Sequence, residues 1–78
     1  MEKEKFIKNL KKIAFAEDTV IDVEKLVTTD TSVEAEFFAG DDFFMLCSQP
    51  KSFILRSLER AWLLEGSDAE DAFAKLAA

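Results

Sequence analysis

The strongest constraint on the fold is a pair of strand-like segments, residues 33–39 and 42–48, separated by a short turn signal. The first segment, VEAEFFA, alternates in a way that is typical of a half-buried β-strand. The second, DFFMLCS, is apolar on both faces, which indicates a central or well-covered strand. Gly40 and Asp41 stand between them, and because glycine adopts positive φ freely, the pattern predicts a tight antiparallel hairpin. The first strand is predicted to direct Val33, Ala35 and Phe37 inward and Glu34, Glu36 and Phe38 outward.

The segment before the hairpin predicts one helix and one strand. Residues 3–16 repeat apolar side chains at helical spacing, with lysines on much of the remaining surface. Residues 19–28 are rich in β-branched side chains and partly alternate, which favours a strand. The alternation slips at Lys25 and Leu26, where a bulge or a strand end is expected.

The segment after the hairpin is interpreted as two helices. Residues 50–65 begin at Pro50, which suits the first helical position, and they place apolar side chains at helical spacing. Gly66 is expected to stop this helix. Ser67 and Glu70 have the spacing of a capping box and predict a last short helix.

These elements predict one domain over residues 1–78, in the order α-β-β-β-α-α. The expected fold class is α+β, a three-stranded antiparallel meander sheet packed on one face by helices. The other face of the sheet is expected to be exposed to solvent and largely negative. Its predicted residues are Val20, Asp22, Glu24, Glu34, Glu36 and Phe38.

The residue types that most catalytic and metal sites need are scarce. The chain has no histidine, two glycines and one cysteine, Cys47, which is expected to be a buried small apolar residue. We therefore expect no enzyme activity, no metal site and no cofactor. No apolar run has the length found in a signal peptide or a membrane span, so a cytoplasmic protein without membrane contact is expected.

The charge is unevenly distributed along the chain. Residues 1–17 contain five lysines and three glutamates, whereas the remaining residues contain thirteen acidic and five basic side chains. An acidic body repels phosphate backbones, which argues against direct binding of nucleic acid. The same charge would favour encounter with a basic partner, although acidity that only aids solubility is the simpler alternative.

Acidic side chains recur at three predicted places: the outer strand face, the hairpin tip and the first turn of the last helix. Such spacing could place negative charges at distances close to those between the phosphates of a nucleic-acid duplex, and the protein would then imitate the duplex. The alternatives are a solvated turn at the hairpin and a favourable interaction with the dipole of the last helix. The candidate partner-binding residues are Asp22, Glu24, Glu34, Glu36, Asp41, Asp42, Asp68, Glu70 and Asp71.

Large apolar side chains are more numerous than one small core is expected to hold. Some of them are therefore expected at an interface, most simply that of a homodimer. A homodimeric structural or adaptor module is accordingly the alternative function. The residues of this surplus are Phe15, Phe38, Phe43, Phe53, Leu63 and Leu64.

The predicted order of elements resembles that of small acidic phage anti-CRISPR proteins, which inhibit Cas9 as DNA mimics. The resemblance covers the N-terminal helix from Phe6 to Ile13, the hairpin at Gly40 to Asp42, Trp62 near the end of the second helix, and the acidic turn at Asp68, Glu70 and Asp71. It implies an inhibitor in the cytoplasm of a bacterial host that binds a basic nucleic-acid-binding protein such as a CRISPR effector. It also implies that Asp41 and Asp42 occupy the groove, with the other acidic candidates around them.

Overall fold

The computed structural model describes residues 1–78 and contains two helices and five strands. Both helices lie on one side of a single antiparallel sheet, which makes the protein a two-layer α+β domain. Neither helix is long and apolar enough to cross a membrane. In chain order the elements are α1 (Lys3–Ile13), β1 (Ile21–Thr28), β2 (Val33–Ala39), β3 (Asp42–Gln49), β4 (Ser52–Arg56), β5 (Ala61–Glu65) and α2 (Ser67–Ala77).

The five strands form an uninterrupted meander in the order β1-β2-β3-β4-β5, so β3 is central and has two strands on each side. The hairpin between β2 and β3 pairs Ala39 with Asp42, and Gly40 turns the chain with φ of 62°. A bulge interrupts the pairing of β1 with β2 between Val23 and Lys25. This bulge lies close to the predicted slip and restores the inward direction of the apolar side chains that follow it.

The core lies between the inner face of the sheet and the two helices, which also pack on each other. Phe37 of β2 is at its centre, with ring centroids 6.1 Å from Phe6 of α1 and 5.5 Å from Phe44 of β3. Asn9 of α1 is buried and donates a hydrogen bond from Nδ2 to the carbonyl oxygen of Leu76, at 2.9 Å. That carbonyl is in the last turn of α2, where it has no partner within the helix. Asn9 therefore links the two helices.

The predicted helix over residues 50–65 is wrong, and with it the three-stranded sheet and the order α-β-β-β-α-α. The segment instead forms β4 and β5, joined by a turn at residues 57–60, so the order is α-β-β-β-β-β-α. Pro50 and Lys51 form the tight turn between β3 and β4, with Gln49 paired to Ser52. The element that was expected to cover the sheet extends it.

The physical reason for this error lies on the outer side of β4 and β5. Phe53 and Leu55 point into the core, but Ile54 between them is also apolar, and Leu63 interrupts the alternation of β5 in the same way. Apolar residues on both faces match a helical period as well as a strand period. The pairing of β4 with the free edge of β3 stabilises the strand more than the helix propensity of the leucine, alanine and arginine residues stabilises a helix.

The remaining elements agree with the expectations, apart from their ends and two local details. The first helix, the first three strands and the last helix are confirmed. Gly66, rather than Ser67, occupies the N-cap position of α2, and no side chain caps that helix, so the predicted capping box is absent. Cys47 is half-buried on the outer side of β3 rather than buried in the core.

Candidate functional site

The outer face of the sheet is a surface that no other element covers. It consists of the residues that alternate with the core residues along all five strands. Both helices contact the inner side, so the outer face is open. We define the outer face by Asp22, Lys25, Val27, Glu34, Glu36, Phe38, Phe43, Met45, Cys47, Ile54, Arg56, Ala61 and Leu63.

The centre of the outer face is apolar and exposed. Met45 of β3 is 49% exposed, Ile54 of β4 is 36% exposed and Leu63 of β5 is 68% exposed. Cross-strand pairing places these side chains beside one another, because Cys47 next to Met45 pairs with Ile54, and Ile54 pairs with Leu63. Contiguous apolar surface that is rimmed by polar residues is typical of interaction sites.

Charged side chains flank this apolar centre on both sides of β3, and the charges without an ion-pair partner are negative on the β2 side and positive on the β4 side. Glu34 and Glu36 project from β2 on one side, and Arg56 projects from β4 on the other. Glu36 forms an ion pair with Lys25 of β1, with 3.7 Å between Nζ and Oε2. Glu34 and Arg56 have no ion-pair partner. These two charges are therefore free to meet opposite charges on a bound protein.

A shallow depression of ≈ 300 Å³ lies in the middle of the outer face. The acidic side chains of β2 form one wall of it, and Ile54 and Arg56 form the opposite wall. Met45 and Cys47 lie between these walls. Lys25, which is paired with Glu36, also lines the depression on the β2 side. The depression thus has an apolar floor between charged walls, a pattern that matches the core and rim of protein interfaces.

The acidic residues predicted from the sequence do not form one surface. Glu34 and Glu36 lie next to each other on the outer face, and Asp22 lies on the same face, paired with Phe38. Asp41 and Asp42 are exposed at the tip of the hairpin between β2 and β3. Glu24 is exposed on β1 at the bulge.

The three acidic candidates of the last helix lie in the other layer of the molecule. Asp68 and Glu70 are in the first turn of α2, where negative charge interacts favourably with the helix dipole. Asp71 forms an ion pair with Lys75 one turn later, with 3.0 Å between the charged atoms. These local roles account for the three residues without a partner, and the sheet separates them from the outer face.

Sequence reasoning assigned no binding role to Ile54 and Arg56, and it named Leu63 only among the surplus apolar residues of which some were expected at an interface. Ile54, Arg56 and Leu63 belong to the segment that was interpreted as a helix. The segment carries only a weak signal for two strands: SFILR and AWLLE are each of strand length, but only Ser57 of the intervening SLER favours a turn, whereas Leu58, Glu59 and Arg60 favour a helix.

The side chains of this surface can make apolar contacts and ion pairs with a bound molecule. The structure contains no group of three or more histidine, cysteine, aspartate or glutamate side chains that could hold a metal ion. Comparisons with protein-family models, with curated proteins and with solved structures find no match to this chain. The functional argument therefore depends on the geometry of the surface itself.

Proposed function

We propose that this protein is a self-associating interaction module whose two copies pack through the outer faces of their sheets. The observation that supports this proposal best is the exposed apolar centre formed by Met45, Ile54 and Leu63. Burying these side chains against an identical surface would remove apolar area from water on both copies at once. Face-to-face packing of two sheets is a common way of covering such a surface.

The arrangement of charges favours a second copy as the occupant. A twofold axis parallel to β3, lying between the two sheets, places β2 of one copy over β4 of the other. Met45 pairs with Glu36 on one side and with Arg56 on the other, so these three residues share one row across the sheet. The rotation keeps that row in place, and Glu36 of each copy, which is also paired with Lys25 of its own chain, then faces the unpaired Arg56 of the other. Two reciprocal ion pairs would flank a contact between the two Met45 side chains.

Charge reversal tests this arrangement. Arg56→Glu and Glu36→Arg are each expected to weaken the dimer about tenfold or more, because each places like charges opposite each other. The double variant exchanges the charges and is expected to recover most of the affinity. Sedimentation equilibrium over a range of protein concentrations measures the dissociation constants. Lys8→Glu makes the same change of charge as Arg56→Glu on the exposed side of α1, and Glu4→Arg on the same helix matches Glu36→Arg, so these two variants are the controls.

Cross-linking at Cys47 gives a second, independent measurement. Cys47 lies on the central strand, next to the proposed axis, so the two thiols of a dimer would lie close together. A short bismaleimide is expected to link two copies through Cys47, and the link should disappear in Cys47→Ser. A cysteine placed on α1 by K8C in that background should not link. A monomer at millimolar concentration, or equal linking at both positions, would contradict self-association through the outer face.

A second candidate function is the acidic inhibitor of a basic nucleic-acid-binding protein such as a CRISPR effector, acting in the cytoplasm of a bacterial host. The element order on which the resemblance to anti-CRISPR proteins depended is not the observed one. One observation still favours a role for this protein as the acidic ligand of a basic partner. The tips of the β2–β3 and β4–β5 hairpins enclose a depression of ≈ 480 Å³ whose charged groups include Asp41, Asp42 and Glu59.

This second candidate predicts a different set of outcomes. The double change Asp41→Lys and Asp42→Lys should abolish inhibition of a reconstituted CRISPR nuclease, and higher salt should weaken inhibition by the unaltered protein. Asp68→Lys with Asp71→Lys is the control, since these residues lie in the helical layer. Inhibition that is unchanged by the hairpin substitutions would exclude the mechanism.

A further inference from the structure

A second apolar surface is open on the inner side of the sheet, away from the proposed dimer contact. The groove between the end of α1 and the last two strands has a volume of ≈ 430 Å³, within the roughly 300–1,000 Å³ of small-molecule sites. Eight of its nine lining residues are hydrophobic. We infer that this groove binds a small amphipathic anion, an aliphatic or aromatic monocarboxylate, with Arg60 as the group that recognises the carboxylate.

The groove is open because the helical layer is too short to cover β4 and β5 completely. Helix α1 ends at Ile13, and the chain then passes over the sheet through Ala14 and Phe15. Phe15 contacts the core edge-on, with its ring 5.7 Å from Phe37 and 5.2 Å from Phe44. This aromatic contact holds one wall in place, so the groove is formed before any ligand arrives.

The opposite wall is the inner face of β5, and it contains the only tryptophan of the chain. Trp62 is half-buried, and its ring lies 6.0 Å from that of Phe44. Leu64 on the same strand is also half-buried and faces the groove. These half-buried side chains leave apolar surface in contact with water inside a concave site, and an apolar ligand would displace that water.

Arg60 is the only charged residue that lines this groove. Its guanidinium lies over the Trp62 ring, 4.5 Å from the centroid, which holds the side chain beside the groove. The turn before β5 fixes its backbone, because the N–H of Ser57 donates to the Arg60 carbonyl at 2.7 Å. Asp41, Asp42 and Glu59 line the adjoining depression together with Arg60, but none of them forms an ion pair with it.

The chemistry of these groups defines the ligand class. A guanidinium offers paired N–H donors that match the two oxygens of a carboxylate. The apolar walls accept a hydrocarbon chain or an aromatic ring, and they contain no second polar group that would select a more complex head. The ligand that fits is therefore one carboxylate attached to an apolar body.

Titration with decanoate and with decanol, below the concentration at which decanoate forms micelles, tests the inference. Trp62 fluorescence reports occupancy directly, because no other tryptophan contributes to the signal. Decanoate is expected to give a saturable change and to bind about tenfold or more tightly than decanol, since only the carboxylate forms charge-assisted hydrogen bonds with Arg60. Arg60→Gln should lower the decanoate affinity to that of decanol and leave decanol binding unchanged.

Two further variants separate the groove from the rest of the surface. Ala14→Phe fills the groove from an exposed position and should abolish the binding of both compounds. Arg56→Glu, on the outer face, should change neither affinity, so the inference stands or falls independently of the proposed dimer. No saturable signal, equal affinity for the two compounds, or the same loss in Arg56→Glu as in Arg60→Gln would overturn it.

Discussion

The inner and outer faces of the sheet are formed by alternate residues of the same five strands, but only the inner face is covered. On β2, the neighbours Phe37 and Phe38 illustrate the contrast, since the first is 0% exposed and the second is 36% exposed. Two helices of eleven residues cover the inner side except for the groove over the last two strands, and no helix remains for the outer side. The apolar residues of the outer face are thus not needed to close the core, which makes them available for a partner.

The contrast between the faces predicts a large difference between two adjacent phenylalanines. Phe37→Ala is expected to lower the free energy of unfolding by about 3–5 kcal/mol, because it removes a ring packed against three other aromatic rings. Phe38→Ala loses one cross-strand contact, with Phe43, and should cost about 1 kcal/mol or less. Urea denaturation at low protein concentration measures both values.

The total stability of a domain of this length is about 4–12 kcal/mol, so Phe37→Ala removes a large fraction of it. Phe37→Leu retains more of the packing and provides the same comparison in a variant with a larger folded population. Equal effects at the two positions would show that the outer face contributes to the monomer's stability as much as the core does.

A smaller effect is expected at the polar contact between the two helices. Asn9→Ala leaves the buried Leu76 carbonyl without its donor and should cost about 1–3 kcal/mol. Lys8→Ala changes an exposed neighbour on the same helix and should stay within about 0.5 kcal/mol. Thermal unfolding of the two variants gives the comparison, and a similar small effect for both would mean that the Asn9 amide does not stabilise the contact.

The smallest effect is expected from the one buried polar group without a partner. Ser48 on the inner side of β3 is 0% exposed, and its Oγ makes no hydrogen bond. Ser48→Ala removes a hydroxyl that lost its water on folding, so stability should be unchanged or rise by about 1 kcal/mol. Ser52→Ala, at an exposed position of β4, provides the reference in the same denaturation series. A loss of more than about 1 kcal/mol at Ser48 alone would indicate a hydrogen bond to this hydroxyl in solution.

Two of the four hairpins of the sheet show how far sequence patterns determine the fold. The β2–β3 hairpin was predicted with its direction and its turn, because VEAEFFA alternates and Gly40 provides the positive φ that the turn requires. The β4–β5 hairpin was missed, because Ile54 and Leu63 are apolar at outward positions. Apolar residues at outward positions remove the alternation of apolar and polar residues that identifies a strand. The same residues form the proposed interface.

The candidate site was likewise predicted only in part. Glu34 and Glu36 were expected on the outer face and lie there, since the alternation of β2 determines which side they occupy. Arg56 was not expected opposite them, because its position depends on β4 pairing with β3. Asp68, Glu70 and Asp71 were grouped with the sheet residues, but the packing of α2 places them in the other layer.

By itself, the sequence determined the elements whose patterns are local. These are the amphipathic first helix, the central hairpin with its glycine turn and the last helix. Only the tertiary structure decided that residues 50–65 form two strands and that one face of the sheet stays open. The reason is that a segment with apolar residues on both faces matches the period of a helix as well as that of a strand. Hydrogen bonds to the free edge of β3 decide between the two structures, and no local sequence pattern contains that interaction.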